Sequence, residues 1–558
     1  MARSLPLLLL ACYGAAAAAI PARPNILFIH GESTDGRLYR EGSPVPLPNI
    51  RGRLLPRGVL FDTTYSNAPV CCPSRASMLT GRYPHNLPHT HNGIAVRGVW
   101  NNAEGLMPEN ATLFDLLNAT GGYTVRVTGK TDWSVGGHTE ACFLEALTHN
   151  VAFPYNVSLD GGWGQEDMCG MNATVAKGGS SGPEGSVYGG DWRVVEGNVQ
   201  WIKAAAAAAS PTPWVLYQGT NIVHPPYATN EYWLSRINAS DVTLPFWPDV
   251  GAMHPCDLQE SMLKGCLPSS AAEAAFSSPD RLLKLRRVYL AEIAEFDAMV
   301  GAYLDALEAS GQADNTIVVV DADHGDLQLD HRSFYKMSPH EGSSRVPLVM
   351  AGPGVAPQVV TQPTQLLDVF ATLLELAGVP VPDSNQGHSL LPFLQGAPRD
   401  PARPPYVLSQ FHGDDIAMSW YMVVTDGGLK YINYGLGNHS RDGVTPQLFN
   451  LTADPGERVN LWAPASPLAQ QLEALLRSLI DYPSVSMDVA QYQLDQFRYW
   501  MGANAADWRQ KIVDPSVVRW AAPWAAANAS AFAALDEWLA QPAAVLPCRS
   551  GTVWPPAA

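Results

Sequence analysis

Residues 316–326 read TIVVVDADHGD, an unbroken apolar run that passes into acidic residues, a histidine and a glycine. A short continuous run of Ile and Val is typical of a strand buried on both faces of a parallel sheet. In α/β sheets the chemistry lies at the carboxyl ends of the strands, which is where Asp323 and His324 fall. The stretch therefore predicts an α/β fold with site residues gathered along one edge of its sheet.

Other runs of the same composition predict further buried strands. They are residues 25–30, 123–128, 214–218 and 346–351. Polar residues again follow the first three of these runs: Glu32 with Asp35, then Lys130, then His224. Because the carboxyl ends of parallel strands share one edge of a sheet, we expect these side chains to lie near Asp323 and His324.

Helices are predicted between the strands. Apolar side chains recur every three to four positions over residues 280–310, with Ser278 and Pro279 before them and Gly311 after them. Ser and Pro are typical of a helix start, and Gly of a helix end. Shorter helices are expected at residues 74–81 and at the alanine run 204–209. Strands that alternate with helices predict a doubly wound α/β domain.

A chain of 558 residues exceeds one ordinary core, so two domains are expected. The Pro- and Arg-rich residues 396–405 suggest the boundary, which assigns residues 23–400 to a catalytic domain and 401–558 to a smaller C-terminal domain. Residues 420–434 and 446–451 predict antiparallel strands in that second domain. A Trp-rich tail follows from about Tyr482, and the Gly-rich residues 160–190 are expected to be a surface insertion.

The N-terminus predicts a secretory signal peptide over residues 1–22, with Arg3 before an apolar run and small residues after it. The later sequence contains no run of 18 consecutive apolar residues, so it predicts no membrane anchor. Eight N-x-S/T sequons support the secretory route, to an extracellular or lysosomal/vacuolar location; they are Asn110, Asn118, Asn156, Asn172, Asn238, Asn438, Asn450 and Asn528. The net charge of −17 argues against nucleic acid as a partner.

Cysteine spacing leaves the redox state of several thiols open. Disulfides are possible in an oxidising compartment, with Cys142/Cys169 and Cys256/Cys266 as the nearest pairs. Free buried thiols are the alternative.

The most specific motif is residues 71–82, which read CCPSRASMLTGR. They resemble the type I sulfatase signature C-x-P-S-R-x-x-x-L-T-G-R. The resemblance implies an alkaline-phosphatase-like doubly wound mixed sheet, and it implies that a formylglycine-generating enzyme oxidises Cys71 to formylglycine. The hydrated aldehyde attacks sulfate esters, and Arg75 holds the hydrate. The simple alternative is a buried Cys pair ahead of an ordinary helix.

The same resemblance implies a metal site. Asp323 and His324 match the family motif D-H-G-[ED], so they become metal ligands together with the oxygen at position 71. Oxygen ligands suit Ca²⁺. Most relatives carry two adjacent Asp after the first strand, whereas this chain has Glu32, a longer ligand. Asp35 is either a further ligand or a cap of the turn at Gly36.

Cations and histidines complete the site by resemblance. Lys130 and Lys336 match the two lysines that hold sulfate, and His224 matches the histidine that protonates the leaving alcohol. His254 matches a substrate-binding histidine. The usual histidine beside Lys130 is missing, and His138 is its possible replacement. A structural hydrogen bond is the alternative role for each histidine.

Longer matches, at residues 129–132, 330–338, 409–413 and 446–451, resemble the arylsulfatase K branch, which removes 2-O-sulfate from glucuronate. The sequence therefore predicts a sulfatase that acts on uronic-acid-containing sulfated polysaccharides, or on an aryl sulfate. His412 becomes a possible contact for a sugar carboxylate. Three alternatives stay open at this stage: an arylsulfatase of other specificity, a phosphoester hydrolase, and a non-catalytic protein that binds sulfated glycans.

Overall fold

The computed structural model describes most of the chain: residues 19–91, 94–102, 106, 110–133, 173–177, 181–264, 278–412, 419–434, 444–514 and 529–540. The predicted Cys142/Cys169 pair, His138, and most of the signal peptide and of the Gly-rich insertion lie outside these residues. Within the described residues, every helix is too short or too polar to cross a bilayer.

A seven-stranded sheet forms the centre of the molecule. Its strands are β1 (Asn25–Gly31), β2 (Gly58–Phe61), β3 (Thr124–Gly129), β4 (Trp214–Gly219), β5 (Thr316–Ala322), β6 (Leu348–Ala351) and β7 (Gln358–Val360). The spatial order is β7-β2-β6-β5-β1-β4-β3. Strands β3, β4, β1 and β5 are mutually parallel, which confirms the predicted parallel core.

The predicted parallel strand at residues 346–351 is wrong in direction and in length. Leu348–Ala351 pairs antiparallel with both β5 and β2, and Arg345–Val346 pairs separately with Thr64–Tyr65. Pro347 divides the run because its nitrogen has no hydrogen to donate to a ladder. The chain between β5 and β6 contains no long helix to carry it across the sheet, so the strand returns antiparallel.

Nine helices of seven or more residues are described. They are α1 (Cys71–Thr80), α2 (Leu113–Ala119), α3 (Gly189–Ala207), α4 (Pro255–Lys264), α5 (Pro279–Ala309), α6 (Asp368–Leu376), α7 (Pro467–Leu479), α8 (Tyr482–Ala503) and α9 (Ala529–Leu539). Four-residue helices lie at Glu231–Leu234, Glu341–Ser344, Leu391–Leu394 and Trp508–Lys511.

Helices cover both faces of the central sheet, as a doubly wound fold requires. Successive side chains of a strand point to opposite faces, so β1 divides its apolar residues between two cores. Ile26 and Phe28 pack with residues of α1, α2 and α6. Leu27 and Ile29 pack with residues of α3 and α5 on the other face.

The long helix α5 begins and ends at the residues that the sequence indicates. The Ser278 side chain accepts a hydrogen bond from the backbone N–H of Arg281, and Pro279 is the first helical residue. Gly311, just past the end, has a left-handed φ of 70°. Its periodic face supplies much of the core between α5 and the sheet.

A second, four-stranded antiparallel sheet lies in the C-terminal part of the chain. Its strands are β8 (Tyr406–His412), β9 (Ser419–Thr425), β10 (Leu429–Tyr434) and β11 (Gln447–Asn450), in that spatial order. This confirms a smaller α+β unit after the main sheet. The sheet packs in one apolar cluster with α7 and α8, and Trp500 of the predicted tail is buried there.

Cys266 lies outside the described residues, so the possible Cys256/Cys266 pair is described only at Cys256. Cys256 is a free, buried thiol in α4. Burial raises the pKa of this thiol well above its ordinary value, because the thiolate would lose its hydration.

Candidate active site

The ends of the parallel strands bring the predicted residues to one edge of the sheet. Gly31 and Ala322 are register partners at the ends of β1 and β5, so the next residues, Glu32 and Asp323, emerge side by side. Lys130 follows β3, whose neighbour is β4. The edge therefore collects two carboxylates and a lysine from strands that lie far apart in the sequence.

Helix α1 places Cys71 over this edge. Cys71 is the first residue of the helix, one turn earlier than the predicted start at Ser74, and Val70 is the extended N-cap. The Ser74 hydroxyl donates to the backbone carbonyl of Asp323 at 2.5 Å, which ties the first turn to the end of β5. The N-terminal end of a helix carries partial positive charge, which favours an anion beside Cys71.

Four polar groups surround the Cys71 sulfur. Its Sγ lies 2.7 Å from Lys336 Nζ, 3.5 Å from His324 Nε2, 3.6 Å from Glu32 Oε1 and 3.9 Å from Lys130 Nζ. Cys71 itself is 1% exposed. The structure thus brings together five residues that the sequence proposed from separate motifs.

Arg75 lies beneath the two carboxylates and holds one oxygen of each. Its Nη2 is 2.8 Å from Glu32 Oε2 and 2.9 Å from Asp323 Oδ2, while its Nε donates to the same Asp323 oxygen at 3.0 Å. Arg75 is fully buried. Its planar, always charged group fixes both carboxylates, so their remaining oxygens, Oε1 and Oδ1, face Cys71 and His324.

The charged groups of the site hold one another in their ionised forms. Burial alone would raise the pKa of Glu32, but Lys130, His324 and Arg75 keep it well below its usual range. Burial would lower the pKa of Lys130 and of Lys336, yet the position-71 sulfur and Glu32 raise both. Two anions and three fixed cations therefore share a space that excludes water.

One set of ligand atoms fits a metal ion. An oxygen of Glu32, an oxygen of Asp323, a nitrogen of His324 and the Cys71 sulfur all lie within 4.8 Å of one another. His324 Nδ1 donates to the carbonyl of Gly325 at 2.9 Å, which leaves Nε2 directed at the cluster. Despite burial, Asp323, Cys71 and Glu32 raise the pKa of His324 to about 10.

The Tyr335 ring contacts Lys336, His224 and His324, one of the candidate metal ligands. The Lys336 Nζ lies 4.4 Å from its ring centre, and the rings of His224 and His324 lie edge-on at 5.2 and 5.8 Å. Its ring is 7% exposed. Nothing in the sequence pattern distinguished Tyr335 from the motif residues around it.

His224 reaches the site from the loop after β4. Its Nδ1 lies 2.6 Å from the carbonyl of Pro225, so Nδ1 carries a proton and Nε2 is the nitrogen that can exchange one. Burial, assisted by Lys130 and Lys336, lowers the pKa of His224 to about 3. In the absence of a bound anion this imidazole is neutral over most of the acidic pH range.

Two further predicted residues, Asp35 and His412, lie elsewhere. Asp35 caps the short helix Gly36–Tyr39 and pairs with Arg37 at 2.8 Å, which is the turn-capping role. His412 is fully buried in β8 against Trp100 and Tyr421.

His254 lies at the start of α4. Its Nε2 is 2.8 Å from the carbonyl of Thr445, and its ring stacks on Tyr434 at 5.2 Å. These contacts join the helix to the C-terminal sheet. The described contacts of His254 are therefore structural.

Two further residues support the site without a recognisable motif. The Tyr217 hydroxyl accepts from Arg75 at 3.1 Å, and Asp132 lies 3.2 Å from Lys130. Tyr217 lies within β4, and Asp132 lies in the stretch that follows β3.

Two family models match this sequence. A family model described as Sulfatase matches residues 24–379, and one described as N-sulphoglucosamine sulphohydrolase, C-terminal, matches residues 329–482. The chain belongs to the sulfatase family and is a sulfuric ester hydrolase.

Within that family the similarity to arylsulfatase K extends over nearly the whole chain. Arylsulfatase K of Gallus gallus is 35% identical over 568 aligned residues, which cover 96% of this chain and 98% of the relative. That of Homo sapiens is 32% identical and covers 92% of each. These comparisons confirm the predicted branch.

Solved structures share the fold. A phosphonate monoester hydrolase of Agrobacterium radiobacter has a TM-score of 0.62 at 21% identity, and covers 84% of this chain and 96% of its own. A 2-O GAG sulfatase has a TM-score of 0.56 at 23% identity, with coverages of 86% and 94%. At these identities the likeness supports the alkaline-phosphatase-like fold.

Proposed function

We propose that this sulfatase uses formylglycine at position 71 and Ca²⁺ to remove 2-O-sulfate from uronic acids in sulfated polysaccharides. The observation that carries the proposal is the setting of Cys71. Two lysines, a histidine and a carboxylate lie within 3.9 Å of its sulfur. A lone structural cysteine has no need of such an arrangement, whereas a nucleophile that meets an anionic ester does.

The oxidised residue would supply the covalent chemistry. A hydrated aldehyde carries two hydroxyls, one to attack sulfur and one to expel sulfate afterwards by restoring the aldehyde. Glu32, Asp323 and His324 would hold the cation, which would offset charge on the sulfate and on the attacking oxygen. Arg75 keeps both carboxylates ionised and oriented for that task.

The lysines bind and orient the sulfate. The Nζ atoms of Lys336 and Lys130 lie 2.7 and 3.9 Å from the sulfur of Cys71. Both ammonium groups can therefore reach the oxygens of a sulfate bound beside position 71. Burial of these ammonium groups strengthens their attraction for an anion, because little water screens it. Lys130 is shared with Glu32 at 2.8 Å, which fixes its position.

His224 donates the proton to the leaving alcohol. Its Nδ1 is engaged by the Pro225 carbonyl, so Nε2 is the atom that carries the transferable proton. A sugar alkoxide is a poor leaving group and needs this proton, since general acids of this kind contribute about 10²–10⁴-fold in rate.

The substrate class rests on relatedness. The similarity to arylsulfatase K, together with the shared fold of a 2-O GAG sulfatase, favours a 2-O-sulfated uronate over other sulfate esters. His254 and His412 remain proposed substrate contacts only by resemblance. Their described contacts, with the Thr445 carbonyl and with Gln410, favour structural roles.

The protein would pass through the secretory pathway, where a formylglycine-generating enzyme would recognise Pro73 and Arg75. Two of the sequons, Asn118 and Asn238, have exposed asparagines, which suits glycosylation. An extracellular or lysosomal location follows from this route.

The decisive experiment combines mass spectrometry with sulfate release. The peptide that contains position 71 should carry the aldehyde in protein expressed through a secretory pathway. The same protein should release sulfate from 2-O-sulfated uronate oligosaccharides faster than from 6-O-sulfated sugars or phosphate and phosphonate monoesters. A preference for the phosphorus esters would support a phosphoester hydrolase.

Cys72 provides a matched control. Its sulfur contacts the carbonyl of Asp132, whereas the sulfur of Cys71 faces the lysines. Cys71→Ala should abolish activity and Cys72→Ala should retain most of it. Verified aldehyde without sulfate release from any sugar or aryl sulfate would contradict the proposal, and an unmodified thiol would favour the glycan-binding alternative.

Chelation tests the cation separately. Removal of divalent ions from the aldehyde-bearing protein should abolish sulfate release, and Ca²⁺ should restore it better than Mg²⁺. The reason is that Ca²⁺ accepts several protein ligands in a flexible geometry, whereas Mg²⁺ usually keeps several of its waters. Restoration by Mg²⁺ alone would assign a different ion.

A further inference from the structure

Lys336 lies on a loop in which several non-glycine residues have a left-handed backbone. Between residues 328 and 337, six residues other than glycine adopt positive φ; they are Gln328, Leu329, His331, Arg332, Tyr335 and Met337. Left-handed backbone costs a non-glycine residue of the order of 1 kcal/mol or more, and it persists only where the surroundings impose it. Something must therefore hold this loop in place.

The two ends of the loop meet through a pair of histidines. The rings of His331 and His340 stack with centres 3.9 Å apart and planes 4° apart, and the residues are 8% and 2% exposed. Lys336 lies between them in the sequence. The stack closes residues 331–340 into a ring whose midpoint is the lysine that contacts Cys71.

His340 is in turn fixed by carboxylates from two other parts of the chain. Its Nε2 is 3.2 Å from Asp257 of α4, and its Nδ1 is 3.4 Å from Glu457, which follows β11. Glu457 also accepts from Lys430 of β10 at 2.8 Å. A buried row of alternating charges thus connects the loop to the C-terminal sheet.

The geometry of the histidines favours ion pairing over a second metal centre. His331, His340 and Glu457 place potential ligand atoms within 4.8 Å of one another. The lone pairs of an imidazole lie in its ring plane, however, and two parallel planes 3.9 Å apart do not converge on one ion. Asp257 and Glu457 instead flank one imidazolium.

We propose that His331 and His340 are positioning residues for Lys336. His340, charged and held by Asp257 and Glu457, fixes the far end of the loop, and His331 packs on its face to fix the near end. The sulfate-binding lysine thereby depends on the C-terminal sheet, although no residue of that sheet touches Cys71 among the described contacts. This inference rests on the proposed role of Lys336 in binding sulfate.

The charge states fit this role. Burial would lower the pKa of His340, but Asp257 and Glu457 raise it to about 10. Burial and the charged His340 lower the pKa of His331 to about 4. The pair therefore consists of one cation and one neutral ring over the range between these values, and a charged ring stacks favourably on a neutral one.

A double-mutant cycle tests the coupling to Lys336. His340→Gln should lower kcat/KM by about 10- to 100-fold, since a displacement of roughly 1 Å has that effect on a catalytic group. It should also raise the inhibition constant of inorganic sulfate. In a Lys336→Gln background the same change should have almost no further effect, whereas a loss of fold alone would give independent, additive effects.

A second pair of variants covers the case in which His340→Gln fails to fold. His331→Ala removes the stacked ring and should lower kcat/KM, while His331→Phe keeps an aromatic face and should restore it to within about threefold of wild type. His388, a partly buried histidine outside this cluster, provides the control through His388→Gln.

The outcomes separate the two proposals. An aldehyde-bearing wild type without sulfatase activity would overturn the proposed function. An active wild type in which the His340 and Lys336 effects add, or in which His331→Ala matches wild type, would overturn the positioning role alone. Non-additive effects with rescue by phenylalanine would support it.

Discussion

Glu32 shows how one side chain serves two purposes at the site. Its Oε2 is shared by Arg75 and Lys130, each at 2.8 Å, while its Oε1 faces His324 at 3.2 Å and Cys71 at 3.6 Å. Glutamate is one methylene longer than aspartate, which lets this carboxylate face the candidate cation site while it still holds both basic groups.

Shortening or neutralising this side chain should have graded effects. Glu32→Asp keeps the charge but withdraws the oxygens, so we expect a Ca²⁺ requirement raised by about 10-fold or more. Glu32→Gln also removes the negative charge that Arg75 and Lys130 share, which leaves their buried positive charges uncompensated, so activity should fall further. Activity measured against Ca²⁺ concentration after chelation checks both. Equal Ca²⁺ dependence in all three proteins would remove Glu32 from the cation site.

We expect His224 to make the activity depend on pH. Because burial lowers its pKa to about 3, the protonated fraction in the free enzyme falls about 10-fold per pH unit above that value. The kcat/KM for a sugar sulfate should therefore decline as pH rises from 4 to 6. His224→Gln should flatten this slope and lower the rate by about 10²-fold.

A nitrophenyl sulfate serves as the matched substrate for that variant. Its phenolate leaves without a proton, so His224→Gln should affect its hydrolysis far less than that of the sugar sulfate. An unchanged pH slope in the variant, or an equal loss on both substrates, would assign the proton to another group.

At the scale of elements, the end of helix α1 is more constrained than its sequence suggests. Gly81 terminates the helix with a φ of 66°, and Gly311 ends α5 in the same way with a φ of 70°. A Cβ at Gly81 would lie 2.3 Å from Asn385 Oδ1 and 2.5 Å from Phe370 Cδ1, whereas one at Gly311 meets nothing within 4 Å. The two glycines thus separate backbone strain from crowding.

Alanine at the two positions should therefore differ in cost. Gly311→Ala should lower the free energy of unfolding by about 1–2 kcal/mol, the cost of the left-handed backbone alone. Gly81→Ala should lower it by a further 1–3 kcal/mol, because the methyl group overlaps packed side chains. Denaturant or thermal unfolding of both variants measures the difference, and equal losses would contradict it.

Local patterns were sufficient where one element determines its own structure. The strand ends that carry Glu32, Lys130 and Asp323 follow from apolar runs with polar ends, and α5 follows from its periodicity and its caps. The direction of Leu348–Ala351 did not follow, because it depends on the path of the preceding loop. The same loop places Tyr335 and pairs His331 with His340, contacts that no spacing rule encodes.

At the scale of the whole molecule, buried carboxyls connect stability to pH. Burial raises the pKa of several in the half of the molecule that holds the main sheet; they are Asp191, Glu292, Glu295, Asp297, Asp321 and Asp326. Each makes the folded state bind a proton more tightly than the unfolded chain does. Each therefore favours the folded state at acidic pH.

Three buried histidines act in the opposite direction. The pKa values of His85, His224 and His331 are lowered to about 4, 3 and 4, chiefly by burial. Their contribution is complete above the ordinary histidine pKa of 6.5 and is lost as pH falls through the lowered values. The pH dependence of stability is thus the sum of these opposing effects. The effect of a single group is best isolated by comparing the stability of wild type with that of a variant across pH.

Glu295 is the clearest group for such a comparison. It lies on α5, is fully buried, and accepts hydrogen bonds from Ser186 and from Trp192 at 2.8 Å, while its Oε2 has no partner in the described part of the chain. Burial raises its pKa from 4.5 to about 7. The carboxyl is consequently protonated in the folded protein at pH 5, and its ionisation above pH 7 opposes folding.

Glutamine imitates the protonated form at every pH. Glu295→Gln should match wild type near pH 4.5 and become more stable as pH rises to 7 and above, by an amount of the order of 3 kcal/mol or less. The melting temperature measured across this range should show a difference that grows with pH and then levels off. Glu41→Gln, at an exposed glutamate, should show a constant difference. A stability gain for Glu295→Gln that is largest at acidic pH would reverse the sign and contradict the prediction.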